Sequence, residues 1–446
     1  MAALVPFIFF LSYCQLIRPK SDDESSSQPA PPIPIATPLP RAPTDPEFDK
    51  AKNATIQNLD TLIQNLNLNT LHQNKFTGQD IKIAILDNGF LGAETLLGKT
   101  LPPDAQIING PGVAQDQTFH GTKLAELIYA VATHSVLYSA AVKGPTLYLL
   151  NTNGFTNLEF AVQKAIDLNV DIVVYSQVWE FGGNFDGQGF INQLVNRFTS
   201  LGKIWVNAAG NYANATYNTP VITRPDNYLQ LPYNQVFLRF QVLQDDNIRI
   251  VLSWNDFTND KNYKTSQDLD FFVENSIQQI VVSGTKKKNP AASADPNFSA
   301  HAREIVETSL PAGEYRMRIL NNSKNFNAQS KIRVSISGEA VQILDQQKAS
   351  ASVMIPADNP SVLSIGASDD PNSSIDYETS NSFAKPYCAA PSLVQYGDNV
   401  KVTGSSTAAA LVGAALAVSQ SAKKPFNLTT YCRKKPIQLI PTFRIP

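Results

Sequence analysis

The fold class of this chain is set by the stretch Ile81-Lys82-Ile83-Ala84-Ile85-Leu86-Asp87. A nearly continuous apolar run of this kind is typical of a strand that is buried on both faces of a parallel sheet. Similar runs recur at Thr146–Asn151, 170–175, Ile204–Ala208 and 362–367. Helical stretches, notably 158–168 and 191–201, separate them. This alternation predicts an α/β fold, a doubly wound and mostly parallel sheet with right-handed crossovers.

The pattern changes near Asp226, where short strands follow one another with no helices between them. These strands are predicted at 236–242, 248–254, 269–273, 280–283, 313–320 and 332–337. Regularly spaced short strands indicate an all-β sandwich, inserted at 226–344. We expect it to have a core of its own, centred on Trp254, Phe271 and Tyr315, and to be removable without unfolding the remainder.

The other boundaries follow from composition. The α/β domain is discontinuous, over 79–225 and 345–446, and residues 47–78 lead into it. In this lead-in, Leu59, Leu62, Ile63 and Leu66 make an apolar stripe that predicts one helix.

Size and charge limit the classes of function. With 446 residues, 43% of them hydrophobic, the chain is long enough for one large or two medium globular domains. Its formal net charge of −2 argues against a nucleic-acid partner. The run Lys286-Lys287-Lys288 is too short for a nucleic-acid patch and is interpreted as a solvated loop. The oligomeric state is left open.

The N-terminal segment, residues 1–14, indicates export. Its apolar run, 2–11, is too short to span a bilayer but has the length of a signal-peptide core. The sequence Leu11-Ser12-Tyr13-Cys14 is similar to the bacterial lipoprotein box, which predicts lipid attachment at Cys14; a plain signal peptide is the alternative. Residues 15–46, rich in Pro and Ser, are predicted to form an extended tether. We therefore expect an exported protein, lipid-anchored in the cell envelope or extracellular.

Apart from Cys14, the chain contains Cys388 and Cys432. In an exported protein these two cysteines allow one disulfide. Two unpaired buried thiols are the alternative, and the sequence leaves both open.

Four short motifs carry residue types suited to acyl transfer. Asp87 ends the first strand, at the edge of the sheet where catalytic groups of α/β proteins emerge. His120 begins a predicted helix in His120-Gly121-Thr122. Asn211 follows a strand in Ala208-Ala209-Gly210-Asn211, and Ser406 precedes a helix in Gly404-Ser405-Ser406-Thr407-Ala408-Ala409. A serine nucleophile needs a base, an acid that orients the base, and a donor to the oxyanion, and these residues supply them.

The order Asp87, His120, Asn211, Ser406 resembles that of the subtilisin-like serine proteases, or subtilases. The resemblance favours Ser406 over the adjacent Ser405 as nucleophile. It also implies polypeptide substrates that lie extended along an edge segment, with Ser176, Gln177 and Val178 as substrate-binding residues. The chain departs from the family pattern, notably at Lys123, Glu126, Ala410 and Leu411.

The predicted sandwich also resembles a known module. Trp254 followed by Asp268-Leu269-Asp270-Phe271 is similar to the jelly-roll modules appended to many subtilases. We expect no cofactor, with calcium left open as the alternative. Asp268 and Asp270 could ligate calcium in the sandwich, but they form only a partial set of ligands, and a role in turn structure is preferred.

Two hypotheses about function follow. The first is an exported, membrane-tethered serine endopeptidase, favoured by the complete set of catalytic residue types. The second is a catalytically degenerate subtilase scaffold that acts as a binding or adhesion lipoprotein, favoured by the departures at the four positions named above. Reaction with a fluorophosphonate probe for active serines distinguishes them.

Overall fold

The computed structural model describes residues 45–111, 118–288, 298–345, 352–369, 388–433 and 442–446. Cys14, the signal segment and nearly all of the predicted tether lie outside these residues, so the inferences drawn from them stay predictions. Among the described residues, no helix combines the length and apolar character needed to cross a membrane.

The elements are named in chain order. The helices are α1 (Asp45–Lys50), α2 (Leu59–Asn65), α3 (Asn69–Gln73), α4 (His120–Thr133), α5 (Phe155–Asp167), α6 (Phe190–Thr199), α7 (Ser405–Ser421) and α8 (Leu428–Tyr431). The strands are β1 (Lys82–Asp87), β2 (Gln106–Ile108), β3 (Thr146–Asn151), β4 (Ile172–Tyr175), β5 (Ile204–Ala208), β6 (Thr216–Pro220), β7 (Leu238–Val242), β8 (Asp246–Trp254), β9 (Leu269–Glu274), β10 (Ile280–Gly284), β11 (Lys287–Lys288), β12 (Phe298–Ser299), β13 (Arg303–Leu310), β14 (Gly313–Asn321), β15 (Lys331–Ser337), β16 (Val341–Ile343), β17 (Leu363–Ala367), β18 (Cys388–Ala390), β19 (Val394–Gln395), β20 (Lys401–Val402), β21 (Cys432–Arg433) and β22 (Thr442–Phe443).

The main sheet has, within the described residues, the strand order β2-β3-β1-β4-β5-β17-β18-β22-β21. Neighbouring strands are parallel except at the β22–β21 edge. The five strands predicted from apolar runs are all present, with bounds that differ by at most two residues. β1 lies between β3 and β4, which places Asp87 at the carboxyl end of a central strand.

Helices cover both faces of this sheet, because alternate residues of β1 belong to different cores. Ile83 and Ile85 belong to the hydrophobic cluster that contains the buried residues of α4 and α7. Ala84 and Leu86 belong to the cluster on the opposite face, together with residues of α5 and α6. This arrangement confirms the predicted doubly wound α/β fold.

Two antiparallel sheets follow β5. In the described part of the chain, one has the order β10-β9-β14-β7-β16 and the other the order β13-β8-β15-β6. The region begins at Thr216, not at Asp226 as predicted, since β6 pairs with β15. The sequence missed β6 and also β13, because both strands are rich in polar residues whose partners are supplied by the tertiary structure.

The sandwich does not have a core of its own, which corrects the prediction. Trp254, Phe271 and Tyr315 are buried, but they share one hydrophobic cluster with Leu86 and Trp179 of the α/β part. The apolar contacts of the sandwich therefore continue to the face of the main sheet.

The lead-in forms three short helices instead of one. Thr55 and Gln57 pair by backbone hydrogen bonds with Gly397 and Gln395, which interrupts any helix there. Asn67, between α2 and α3, has a φ of 61°, a left-handed conformation that asparagine tolerates. The predicted apolar stripe is nevertheless buried, in the same cluster as α4.

Cys388 and Cys432 form a disulfide, with their Cα atoms 5.6 Å apart. The bond connects β18 to β21, two strands of the main sheet that the chain reaches 44 residues apart. Of the two alternatives left by the sequence, the structure selects the disulfide.

Candidate functional site

Asp87 is fully buried where β1 ends, and its two oxygens have different partners. Oδ2 lies 2.7 Å from Nδ1 of His120. Oδ1 accepts a hydrogen bond of 2.8 Å from the backbone N–H of Asn88. Ser176 Oγ also donates to Oδ2, and Gln177 Nε2 lies 3.4 Å from Oδ1. The carboxylate is thus held from several sides.

His120 occupies the first position of α4, as predicted, and is 1% exposed. Helix and strand approach closely here, because a Cβ on Gly121 would lie 2.7 Å from the Cβ of Asp87 and 2.5 Å from Gly89 O. Only glycine allows this approach, which brings the imidazole to the aspartate. The ring of Phe48 packs edge-on against the imidazole at a centroid distance of 4.7 Å.

Ser406 lies in the first turn of α7, which begins one residue earlier, at Ser405. Ser406 is 2% exposed, and its Oγ has no hydrogen-bond partner among the described residues. A Cβ on Gly413 would lie 2.3 Å from Val174 Cγ2, so α7 packs directly onto β4 at this point. The structure therefore joins Asp87 to His120 by a hydrogen bond but does not join Ser406 to the pair in this way.

Ser405 has a different environment from Ser406. Its Oγ accepts a hydrogen bond from Gly210 N–H at 3.1 Å and donates to Asn211 Oδ1 at 3.0 Å. Its backbone N–H donates to the same oxygen at 3.1 Å. The hydroxyl of Ser405 is thus engaged in the turn that holds Asn211.

These contacts also orient the amide of Asn211. Because Oδ1 accepts from Ser405, the Nδ2 group is the part of the side chain that remains to donate to another acceptor. The oxyanion-donor role that the sequence assigned to Asn211 stays a prediction, and it requires a donor of this kind.

The segment predicted to bind substrate follows β4. Ser176 and Gln177 direct their side chains to Asp87, as described above, and Gln177 O accepts a hydrogen bond of 3.2 Å from Asn207 Nδ2. Val178 is 7% exposed. Further along, Trp179 forms an antiparallel bridge with Ile355. Ile355 of the same chain therefore occupies the backbone-pairing position at Trp179, the residue that directly follows this segment.

Ionisable groups under this segment are deeply buried. Glu180 Oε2 accepts a hydrogen bond of 2.8 Å from Arg249 Nε of the sandwich. Burial raises the pKa of Glu180, and the charge of Arg249 opposes that rise. Burial, with the nearby charge of Glu180, also raises the pKa of Tyr212, the residue after Asn211.

The departures from the family pattern have structural roles. Lys123 Nζ lies 2.7 Å from Glu126 Oε2 and donates to Ala54 O of the lead-in at 3.0 Å. Ala410 and Leu411 are fully buried in the interior of α7. At these positions Lys123 and Glu126 form polar contacts, whereas Ala410 and Leu411 pack in the interior.

Two contacts at the site were not predicted. The hydroxyl of Ser176 binds Asp87, although the sequence assigned this residue to substrate binding alone, and Phe48 packs on His120. The position of Ser176 directly after a strand that neighbours β1 is a signal for the first contact. Nothing in the sequence around Phe48 indicates the second.

One group of side chains has the composition of a metal site. Asp268 and Asp270, which the sequence indicated, are joined by Glu304, with ligand atoms that all lie within 4.8 Å of one another. They belong to the sandwich.

The chain matches a known protein family over most of its length. Residues 78–433 match the model of the subtilase family. Among solved structures, the chain is similar to the CspB protease of Clostridium perfringens, with 16% identity, a TM-score of 0.44, and coverage of 83% of this chain and 86% of that one. It is also similar to the PatG macrocyclase in complex with peptide, with 10% identity, a TM-score of 0.35, and coverage of 84% and 86%. The pre-peptidase C-terminal domain of a Bacillus anthracis collagenase matches 28% of this chain over 89% of its own length, with 11% identity and a TM-score of 0.19. No curated protein sequence matches the chain.

Proposed function

The chain belongs to the subtilase family, and from this premise we propose that it is an exported serine endopeptidase. In this proposal Ser406 is the nucleophile, His120 the general base and Asp87 the acid that orients the base. Asn211 is the oxyanion donor. The substrate is a polypeptide.

The observation that carries the proposal is the buried contact of 2.7 Å between Asp87 Oδ2 and His120 Nδ1. A carboxylate at this nitrogen fixes the tautomer and orientation of the ring, and it stabilises the imidazolium that forms during the reaction. With Nδ1 committed to Asp87, the base role falls to Nε2.

The reaction would follow from these positions. His120 Nε2 takes the proton of Ser406 Oγ as the oxygen attacks the peptide carbonyl, and later gives it to the leaving amine. The start of α7 puts positive helix-dipole charge near the developing oxyanion, beside the backbone N–H of Ser406. Asn211 Nδ2 would add a donor, and such a donor stabilises the transition state by about 3–4 kcal/mol.

The substrate is proposed to lie along the segment after β4, with Ser176, Gln177 and Val178 as its contacts. Since Trp179 already pairs with Ile355, only the portion nearest Asp87 would be available for backbone pairing. A short binding segment favours substrates that are unfolded or extended.

The test uses a fluorophosphonate probe and casein hydrolysis. We expect the wild type to be labelled, and Ser406→Ala to lose labelling and to lose casein hydrolysis by several orders of magnitude, because the triad acts as a unit. Ser405→Ala is the matched control, one residue away, and should keep its labelling at Ser406. Labelling that persists in Ser406→Ala would reject the nucleophile.

One observation favours the alternative, a degenerate subtilase scaffold that binds other molecules without cleaving them. Ser406 is 2% exposed and its Oγ has no hydrogen-bond partner among the described residues. A catalytic serine has to contact its substrate, so Ser406 has to become accessible before catalysis. Folded wild-type protein that stays unlabelled by the probe would support the alternative.

For the location we propose the cell envelope, through a lipid on Cys14. The support is the apolar run of residues 2–11 followed by a lipoprotein-like motif. Labelled palmitate should enter the wild type in a bacterial host and be absent from Cys14→Ser. Equal labelling of both proteins, or none in either, would favour a plain signal peptide and an extracellular enzyme.

A further inference from the structure

Three carboxylates lie together inside the sandwich and share no residue with the triad. Asp268 directly precedes β9, Asp270 lies on β9, and Glu304 lies on β13. Their ligand atoms lie within 4.8 Å of one another. β9 and β13 belong to different sheets, so the cluster connects the two layers.

The two aspartates are only partly hydrogen-bonded among the described residues. Asp270 is 9% exposed; its Oδ2 accepts a hydrogen bond of 2.6 Å from Asn322 Nδ2, whereas its Oδ1 is buried without a partner. Oδ1 of Asp268 is likewise buried without a partner. A buried carboxylate oxygen that lacks a donor is costly, and a bound cation would relieve that cost.

One positive charge is built into the cluster. Lys288, which the sequence placed in a solvated loop, has a side chain only 2% exposed and forms an ion pair with Glu304. Its Nζ also donates to Arg303 O at 3.0 Å and to Lys286 O at 3.1 Å. An ammonium has three donors, so none remains for the aspartates.

Other positive charges lie near the cluster: Arg303 acts on Glu304 by its charge, and Lys287 acts on Asp270. Among the described residues, none of these cations supplies a donor to Oδ1 of Asp268 or Oδ1 of Asp270.

We propose that Asp268, Asp270 and Glu304 bind a divalent cation, Ca²⁺, which clamps the two sheets of the sandwich together. Calcium prefers oxygen ligands and completes its six to eight positions with carbonyls and water, so a set of three carboxylates is sufficient as a nucleus. The ion would sit beside Lys288, with the unpartnered oxygens of the two aspartates as its first ligands.

The test uses Tb³⁺ as a luminescent substitute for Ca²⁺ on the full-length protein after treatment with a chelator. The ring centroid of Trp254 lies 5.1 Å from Lys288 Nζ, so this indole is placed to sensitise a lanthanide in the cluster. We expect saturable Tb³⁺ emission that Ca²⁺ displaces, and a rise of several degrees in Tm on adding Ca²⁺. Both responses should be lost in Asp270→Asn and kept in the matched control Glu314→Gln, an exposed acid on β14.

Two further variants complete the design. Trp254→Phe should lose the emission but keep the rise in Tm, which places the ion near this ring. Asp270→Asn should remain folded without calcium, as judged by circular dichroism, because it removes a buried charge. A wild type that shows neither response would overturn the proposal, and so would a calcium effect that Asp270→Asn retains. A response confined to Lys288→Met would also overturn it, since the ammonium would then be the permanent cation.

Discussion

At the scale of single residues, the two adjacent serines of α7 are separated by their hydrogen bonds. Ser405 Oγ is bonded to Gly210 and Asn211, whereas Ser406 Oγ has no partner among the described residues. A hydroxyl committed to a turn is a poor nucleophile, because its lone pair and proton are both engaged. These contacts support the proposed role of Ser406, which the motif in the sequence also favours.

His301 provides a prediction about pH. Burial, together with the charges of Arg303, Lys288 and Lys264, lowers the pKa of this imidazole to about 3, from 6.5. Between these values the unfolded chain binds a proton that the folded protein does not, so stability is complete above pH 6.5 and is lost as the pH falls toward 3. At pH 4.5 the loss from His301 amounts to roughly 3 kcal/mol, at 1.36 kcal/mol for each pKa unit.

The measurement is the free energy of unfolding in urea at pH 7 and pH 4.5, for the wild type and for His301→Gln. The variant should lose roughly 3 kcal/mol less on acidification, since its carboxylates are unchanged and only the imidazole is missing. Equal losses in the two proteins would show that His301 is protonated in the folded state.

At the scale of elements, a buried ion pair within α4 lies where this helix contacts the lead-in. The side chains of Lys123 and Glu126 are 3% and 11% exposed, and Lys123 Nζ also holds Ala54 O. Lys123→Met would leave a buried carboxylate without its partner and a carbonyl without its donor. Such a change costs about 3–5 kcal/mol.

Unfolding of Lys123→Met in urea measures this cost, and the double variant Lys123→Met/Glu126→Gln is the control. Removing both charges should recover most of the lost stability, because an uncharged pair has no desolvation penalty to offset. A double variant as unstable as the single one would mean that the contact with Ala54, and not the ion pair, stabilises the junction.

At the scale of the whole molecule, the sandwich and the α/β part share a hydrophobic core on one face of the main sheet. Buried residues of the sandwich and of one face of the main sheet form a single cluster, and the Glu180–Arg249 ion pair crosses between the two parts. Arg333 of β15 donates to Val353 O at 3.2 Å, next to the segment that pairs with Trp179. The sandwich therefore contacts the residues that directly follow the predicted substrate-binding segment Ser176, Gln177 and Val178.

We accordingly expect that replacing 216–343 with a Gly/Ser linker exposes Trp179 and leaves Glu180 buried without Arg249. The resulting protein should be insoluble or unlabelled by a fluorophosphonate, provided that the intact chain is labelled. A sandwich with a core of its own would instead be removable, and the remaining protein would stay soluble and labelled. A soluble deletion variant with normal labelling would show that the α/β part is stable alone.

The sequence by itself determined the alternation of the five predicted strands of the main sheet with helices. Apolar runs such as Ile81 to Asp87 are typical of strands buried in a two-sided sheet, and residues at the carboxyl ends of parallel strands meet at one edge. Asp87 and His120 were therefore found from local pattern alone, at the end of β1 and the start of α4. The subtilase family followed from the order of the motifs.

Only the tertiary structure decided which partners these residues have. Three contacts join positions that are distant in the chain: the hydrogen bond from Ser176 to Asp87, the disulfide between Cys388 and Cys432, and the buried ion pair of Lys288. The same holds for β13. Its charged residues are typical of a solvent-exposed loop, but in the structure they pair with Arg249 and Lys288. Hydrophobic periodicity reports how a segment meets the core, but the neutralisation of a buried charge depends on a residue elsewhere, which no local pattern contains.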